Sequence, residues 1–309
     1  MDQDGRRRVR ARARRLVLDG CRVVKYQQLV VCPGLKLDWN GIEGLPETLG
    51  RNGVTSNYRY DLAPYTWELV QNLKSGQALF TQPPMPIKCA GAPQKAMYLS
   101  ADHWKRQGVL KNIHIEFCNA GGVLFGVPDY VPALMEYVKA YGIDLQFSNQ
   151  LVAVDGAAHE ATFIRTNADG TKERVTRPFD LLHAVPPQKA PDFIRVSPLA
   201  DAAGWVDVDP SSLRHKKYAN VFALGDCTNT TNAKTAAAAR KQRRWSRTTC
   251  SPPGAGPRAW PAMTAMAPAR SLSSAARSCW RNLPTAASWR LRFRNGSSTA
   301  SGRHRWRGC

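Results

Sequence analysis

The sequence has no apolar run approaching the roughly 18 residues that a membrane-spanning helix needs, so no span is predicted. No signal-peptide pattern is visible. None of its eight cysteines forms a CxxC, which argues against a zinc site, and their scatter over 309 residues excludes a disulfide framework. GxGxxG, the glycine spacing that seats a pyrophosphate on a helix start, occurs nowhere. Residues 243–309 hold no Asp, Glu or Lys, yet carry thirteen Arg and five Trp. A disordered polar tail is rarely so rich in Trp.

What is present is an ordinary globular composition with a lopsided charge. The net charge of +21 would suggest nucleic acid or an anionic surface. Residues 1–15 contribute seven Arg against two Asp, and 243–309 contribute thirteen Arg. The intervening 16–242 hold 24 basic and 21 acidic residues, so the body is nearly neutral and no nucleic-acid partner is predicted. The 43% hydrophobic content suffices for two domains.

Arg15 to Tyr26 reads as a hairpin around Asp19-Gly20, and Leu29 to Cys32 as an apolar strand running into a Pro33-Gly34 loop. Helices are predicted over 65–73, 96–105 and 129–141, alternating with strands at 77–81, 112–118 and 143–147. Three further strands, 151–155, 161–166 and 173–176, follow, with an Asp169-Gly170 turn between the last two. Alternation of this kind predicts an α/β fold with Rossmann-like βαβ units. Gly121, Gly122 and Gly126 lack dinucleotide spacing, so the middle region is read as not binding NAD. His114 is read as a strand residue rather than a ligand, and no metal site is predicted.

Two stretches carry chemistry. Val221 to Ala239 reads strand, Gly225-Asp226, polar loop, then a helix with caps expected at Thr231 or Asn232. Such a unit sets a carboxylate and the free N–H groups of a helix start against one ligand, though any α/β turn could look alike. Around Cys89, Gly91 and Pro93 bring the chain tightly to a helix start. There the positive helix end and Lys88 or Lys95 would favour a thiolate. Alone, Cys89 could equally be a small buried hydrophobe.

The strings GDCTN…KTAAA at 225–238 and KCAGAPQK at 88–95 resemble the sulfide:quinone oxidoreductases, a branch of the two-dinucleotide-domain flavoproteins. The resemblance is to the two-cysteine, mitochondrial-like group, and it runs in family order from Leu16 to Lys241. It implies that Asp226 holds the ribityl chain of FAD and that Cys89 is one redox-active cysteine. Pro33, Gly34 and Gly225 would line the cofactor, with Lys234, Thr235, Ala236 and Ala237 beside its ring and pyrophosphate. Sulfide would attack a cysteine disulfide or trisulfide, and electrons would pass through FAD to a membrane quinone. A sulfane-sulfur acceptor thiol would take the product, on the surface of an inner or cytoplasmic, bacterial membrane. The expected organisation is an unplaced basic segment (1–15), the FAD-binding domain in two parts (16–78 and 200–242), a Rossmann-like middle domain without an NAD fingerprint (79–199) and a disordered tail (243–309). The first FAD-binding βαβ unit is expected to be missing. An inactive flavoprotein fragment, or a sulfide dehydrogenase passing electrons to a cytochrome, are the alternatives.

The tail has a second expected reading. Back-translated and shifted to each codon's third base, Met263 to Arg270 permits DGYGSCP, similar to the family segment with the second redox cysteine. The same shift permits AVVAHNLL from Arg243 and LLAEF near Cys279-Trp280. A frame change near codon 242 would therefore account for the tail and place a cysteine at Pro268-Ala269. The opposite shift at Met1-Asp2 permits WIK, which hints that the first fifteen residues are miscoded as well.

Overall fold

The computed structural model describes residues 8–18 and 22–249, all within the compact unit Met1–Ala265. Strands β1 (Arg8–Arg10), β2 (Arg15–Val17) and β3 (Val23–Lys25) form an antiparallel sheet in that order. The expected hairpin is therefore found, with its Asp19-Gly20 turn outside the described residues. Part of the arginine-rich start also has a place. Val9 on β1 and Ala11 in the turn after it are buried in one core cluster with Val31, Ile194 and Leu199.

Next come β4 (Leu29–Val31), β5 (Lys36–Leu37), helix α1 (Leu45–Thr48), β6 (Val54–Thr55) and α2 (Ala63–Asn72). Then follow β7 (Gly76–Gln82), α3 (Gly91–Arg106), β8 (Ile113–Asn119), α4 (Val131–Tyr141) and β9 (Ile143–Phe147). A meander of β10 (Asn149–Asp155), β11 (Glu160–Thr166) and β12 (Lys172–Pro178) leads to β13 (Leu181–His183). The chain closes with β14 (Gln188–Lys189), α5 (Asp192–Arg195), β15 (Val221–Ala223) and α6 (Ala236–Thr249).

The central sheet is parallel, in the order β6-β13-β7-β8-β9. Helices α3 and α4 connect consecutive parallel strands, so these are βαβ units. Alternation along β7 divides two cores. Ala78 and Phe80 face the helices with Phe117 and Trp104, whereas Leu79 faces Leu45, Leu151 and Phe163 on the meander side. Trp104 is fully buried, and its indole N–H donates to the Val70 carbonyl at 2.8 Å, which locks α3 to α2.

Two local expectations change. The boundary expected at 78/79 falls inside the central sheet, because β6 pairs with β13 and α2 packs under α3. Residues 204–209 make isolated bridges, Val206 to Thr228 and Val208 to His215. Helix α6 begins later than expected and stays helical to Thr249, past the boundary at 242. The rest of the expected tail, with the frame-shifted cysteine position, lies outside the described residues. No helix among the described residues is long and apolar enough to cross a membrane.

Candidate functional site

A third core, from residues 9–31 and 190–227, holds the Gly-Asp stretch. Its heart is a parallel pair in which Val221, Phe222 and Ala223 of β15 oppose Leu29, Val30 and Val31 of β4. Both strands run the same way, so their carboxyl-end loops, Cys32-Pro33-Gly34 and Leu224-Gly225-Asp226, emerge side by side. That is where open α/β sheets bind ligands. Gly34 and Gly225 both have positive φ, +78° and +77°, which glycine adopts without cost. The Gly225 N–H donates to Gln242 Oε1 at 2.7 Å, so the second turn of α6 closes back over this loop.

The Asp226 carboxylate is half-buried and accepts no hydrogen bond from a described residue. Helix α6 is capped by Thr235, not by Thr231 or Asn232. The Thr235 Oγ1 accepts from Ala238 N at 3.2 Å, and its carbonyl takes the first helical bond from Ala239. The preceding residue, Lys234, is itself held in place. The N–H groups of Ala236 and Ala237 then donate to no described residue, so one acceptor and two donors are open together.

Lys234 is placed differently from expectation. Its ammonium turns inward, lies 4.0 Å over the Trp205 ring and donates to the carbonyls of Asp226 and Thr228, each at 2.8 Å. Burial pulls its pKa below the ordinary lysine value, against an opposing pull from Asp226 and Cys227. The side chain braces the loop instead of offering charge to a ligand. Its backbone does something else: the Lys234 carbonyl accepts from the Cys89 N–H at 2.9 Å, inside a bridge between Lys88 and Lys234. The two stretches singled out in the sequence therefore meet.

Cys89 precedes α3 by two residues and is half-exposed, and its thiol makes no hydrogen bond with a described residue. Its φ of +52° is left-handed, uncommon outside glycine and asparagine. The other described cysteines contrast with it. Cys118 and Cys227 are buried, and burial pushes both thiols up to about 12. Cys32 is exposed beside the Pro33-Gly34 loop.

The middle sheet offers less room at its carboxyl end. The Gln94 amide donates to Leu124 O at 2.6 Å, and Phe125 lies against Gly91, so loop 120–127 packs over the first turn of α3. His114, Glu116 and Asp144 bring possible metal-ligand atoms within 4.8 Å of one another. Glu116, however, is taken by Arg177 at 3.1 Å and by the Gln77 amide at 2.6 Å, and a second cation there would face the guanidinium. Sequence reading missed Tyr58, His183, Trp205 and Gln242, which act through contacts distant in the chain.

No family model matches the chain. Among curated proteins, mouse mitochondrial sulfide:quinone oxidoreductase is 42% identical over 224 residues, 72% of this chain and 49% of its own length. The Dictyostelium discoideum mitochondrial sulfide:quinone oxidoreductase is 42% identical over 229 residues, 74% of this chain and 49% of its own. A chain of the Tetrahymena thermophila mitochondrial ATP synthase F1Fo tetramer superposes with a TM-score of 0.67 at 27% identity, covering 78% of this chain and 60% of that one. The Aquifex aeolicus sulfide:quinone oxidoreductase superposes with a TM-score of 0.59 at 18% identity, over 74% of this chain and 53% of that one, and shares the fold. The chain is thus homologous, over nearly three quarters of its length, to the mitochondrial sulfide:quinone oxidoreductases, and it spans about half the length of the curated relatives it matches.

Proposed function

We propose that this chain carries part of an FAD site and one sulfur-handling cysteine of an FAD-dependent sulfide:quinone oxidoreductase. The observation that supports this most is the backbone bond from Cys89 to Lys234, which ties a free thiol to the loop bearing Asp226 and the start of α6. The open groups fit the cofactor. The Asp226 carboxylate suits a ribityl hydroxyl, and the N–H groups of Ala236 and Ala237 suit an electron-rich or anionic oxygen at a helix start. Gly225, Pro33 and Gly34 let the backbone come close, Thr235 fixes the helix start, and Lys234 acts from behind. When bound, FAD would supply two-electron acceptance and onward transfer.

The residues' own part is sulfur handling. Hydrosulfide attacks the sulfur of a disulfide that includes Cys89, leaving a persulfide on Cys89 and releasing the partner thiolate. In this sequence positions 268 and 269 are Pro and Ala, so that partner is proposed only for the shifted reading frame, which would place a cysteine there. Sulfide, a quinone and a sulfane-sulfur acceptor thiol are the proposed small partners, and a membrane surface the proposed location. Domain limits are proposed just outside the central sheet, whose strands begin at Val54 and end at His183.

Without a GxGxxG, the sequence should hold FAD weakly, since each lost charge-assisted hydrogen bond costs ~1.5–3 kcal/mol. Isolation of a yellow protein with one FAD per chain would contradict that. The assignment itself is tested by titrating FAD into the chain: Asp226→Ala should weaken binding at least tenfold, and Cys89→Ser should leave it unchanged. In a family-length enzyme, Cys89→Ser should abolish sulfide-dependent quinone reduction. Normal turnover by that variant would remove Cys89 from the role, and reduction of a cytochrome but no quinone would redirect the electrons.

A further inference from the structure

Cys89 holds a left-handed conformation that an L-residue keeps only when its surroundings fix it. Its N–H is fixed by the Lys234 carbonyl and its carbonyl by Ala92 N at 2.7 Å. Lys88 N donates to Gln188 Oε1 at 2.5 Å. One further group reaches this turn from another part of the fold. The Tyr58 hydroxyl donates to the Lys88 carbonyl at 2.7 Å, with the Cys89 carbonyl at 3.3 Å.

Tyr58 is itself anchored. The preceding Asn57 N–H donates to Nε2 of the fully buried His183 at 2.9 Å, and Tyr58 N donates to Ser56 Oγ at 3.3 Å. The segment is thereby tied to the end of β13, in the rigid central sheet. We propose that Tyr58 is the positioning residue for Cys89, its hydroxyl holding the Lys88 and Cys89 carbonyls so that the cysteine stays left-handed with its thiol unbonded. Burial, and then the neighbouring Cys89, raise the Tyr58 pKa, so the phenol remains a donor throughout the working range.

The inference rests on Cys89 being the sulfur carrier, but its test needs neither sulfide nor flavin, so the two can fail separately. Amide exchange is measured on the full chain as wild type, Tyr58→Phe, Cys89→Gly and the double variant. Tyr58→Phe should speed exchange of the residue-89 and Ala92 amides at least tenfold, with the amides of β7 and β8 unchanged. Cys89→Gly should restore slow exchange in the double variant, because glycine adopts positive φ without needing to be held. A residue that only packs would not be rescued this way. Should Tyr58→Phe alone fail to fold, the double variant should fold. Unchanged exchange in Tyr58→Phe, or no rescue by Cys89→Gly, would overturn the proposal.

Discussion

His183 shows how much one side chain can hold. It is completely buried, stacks on Phe80 at 5.9 Å and accepts a hydrogen bond from Asn57 N, which requires a neutral ring. Burial pulls its pKa down to about 4. The unfolded chain, with an ordinary histidine, binds a proton below about 6.5, whereas the folded chain resists until about 4. The stabilisation is therefore complete above about pH 6.5 and is lost as pH falls towards 4, on the order of 3 kcal/mol in total. Melting temperatures taken from pH 7 down to 4 should fall less steeply for His183→Gln, which keeps an acceptor but does not titrate. Equal slopes would mean that His183 is not the group responsible. The sequence could suggest Cys89 and Asp226, which sit in recognisable strings. It could not suggest His183 or Tyr58, whose roles come from neighbours more than a hundred and about thirty positions away.

Among the elements, those with a clear period were legible. The helices at 63–72, 91–106 and 131–141 and the strands β7, β8 and β9 fall within a few residues of expectation, because each helix buries a regular stripe and each strand is a short apolar or alternating run. Short pieces fixed by tertiary contact were not, such as the two-residue β6 and the bridges of 206–208. Helix α1 has the same origin. Its N-terminal Gly44 has φ +70° and backs onto the Val154 carbonyl, where any Cβ would collide. The adjoining bridge, Val154 N to Glu43 O at 2.8 Å and Glu43 N to Val152 O at 2.9 Å, seats α1 on the meander. Gly44→Ala should therefore cost about 2–4 kcal/mol, combining left-handed strain and overpacking. Denaturant unfolding would measure it. A loss under about 1 kcal/mol would show that α1 can move off β10 freely.

At the scale of the molecule, the pair β4 and β15 joins residues almost two hundred positions apart, while in the central sheet β7, β8 and β9 are consecutive and only β13 returns from more than a hundred positions away. Stability need not be shared evenly between them. Val221→Ala, at a fully buried position, should speed amide exchange in Leu29–Val31 and at 224–226 while leaving β7 and β8 protected. Uniform acceleration would show one cooperative unit instead. The charge has the same uneven layout, with a nearly neutral body between basic flanks. Across this layout runs the main-chain bond from Cys89 to the Lys234 carbonyl. A side-chain scan at position 89 that leaves out proline would report sulfur chemistry and never see that bond, because every other residue supplies the same N–H. Only proline, or an ester in place of the amide, would expose it. A position can thus look purely chemical in a mutational map while also serving as a joint between two parts of the chain.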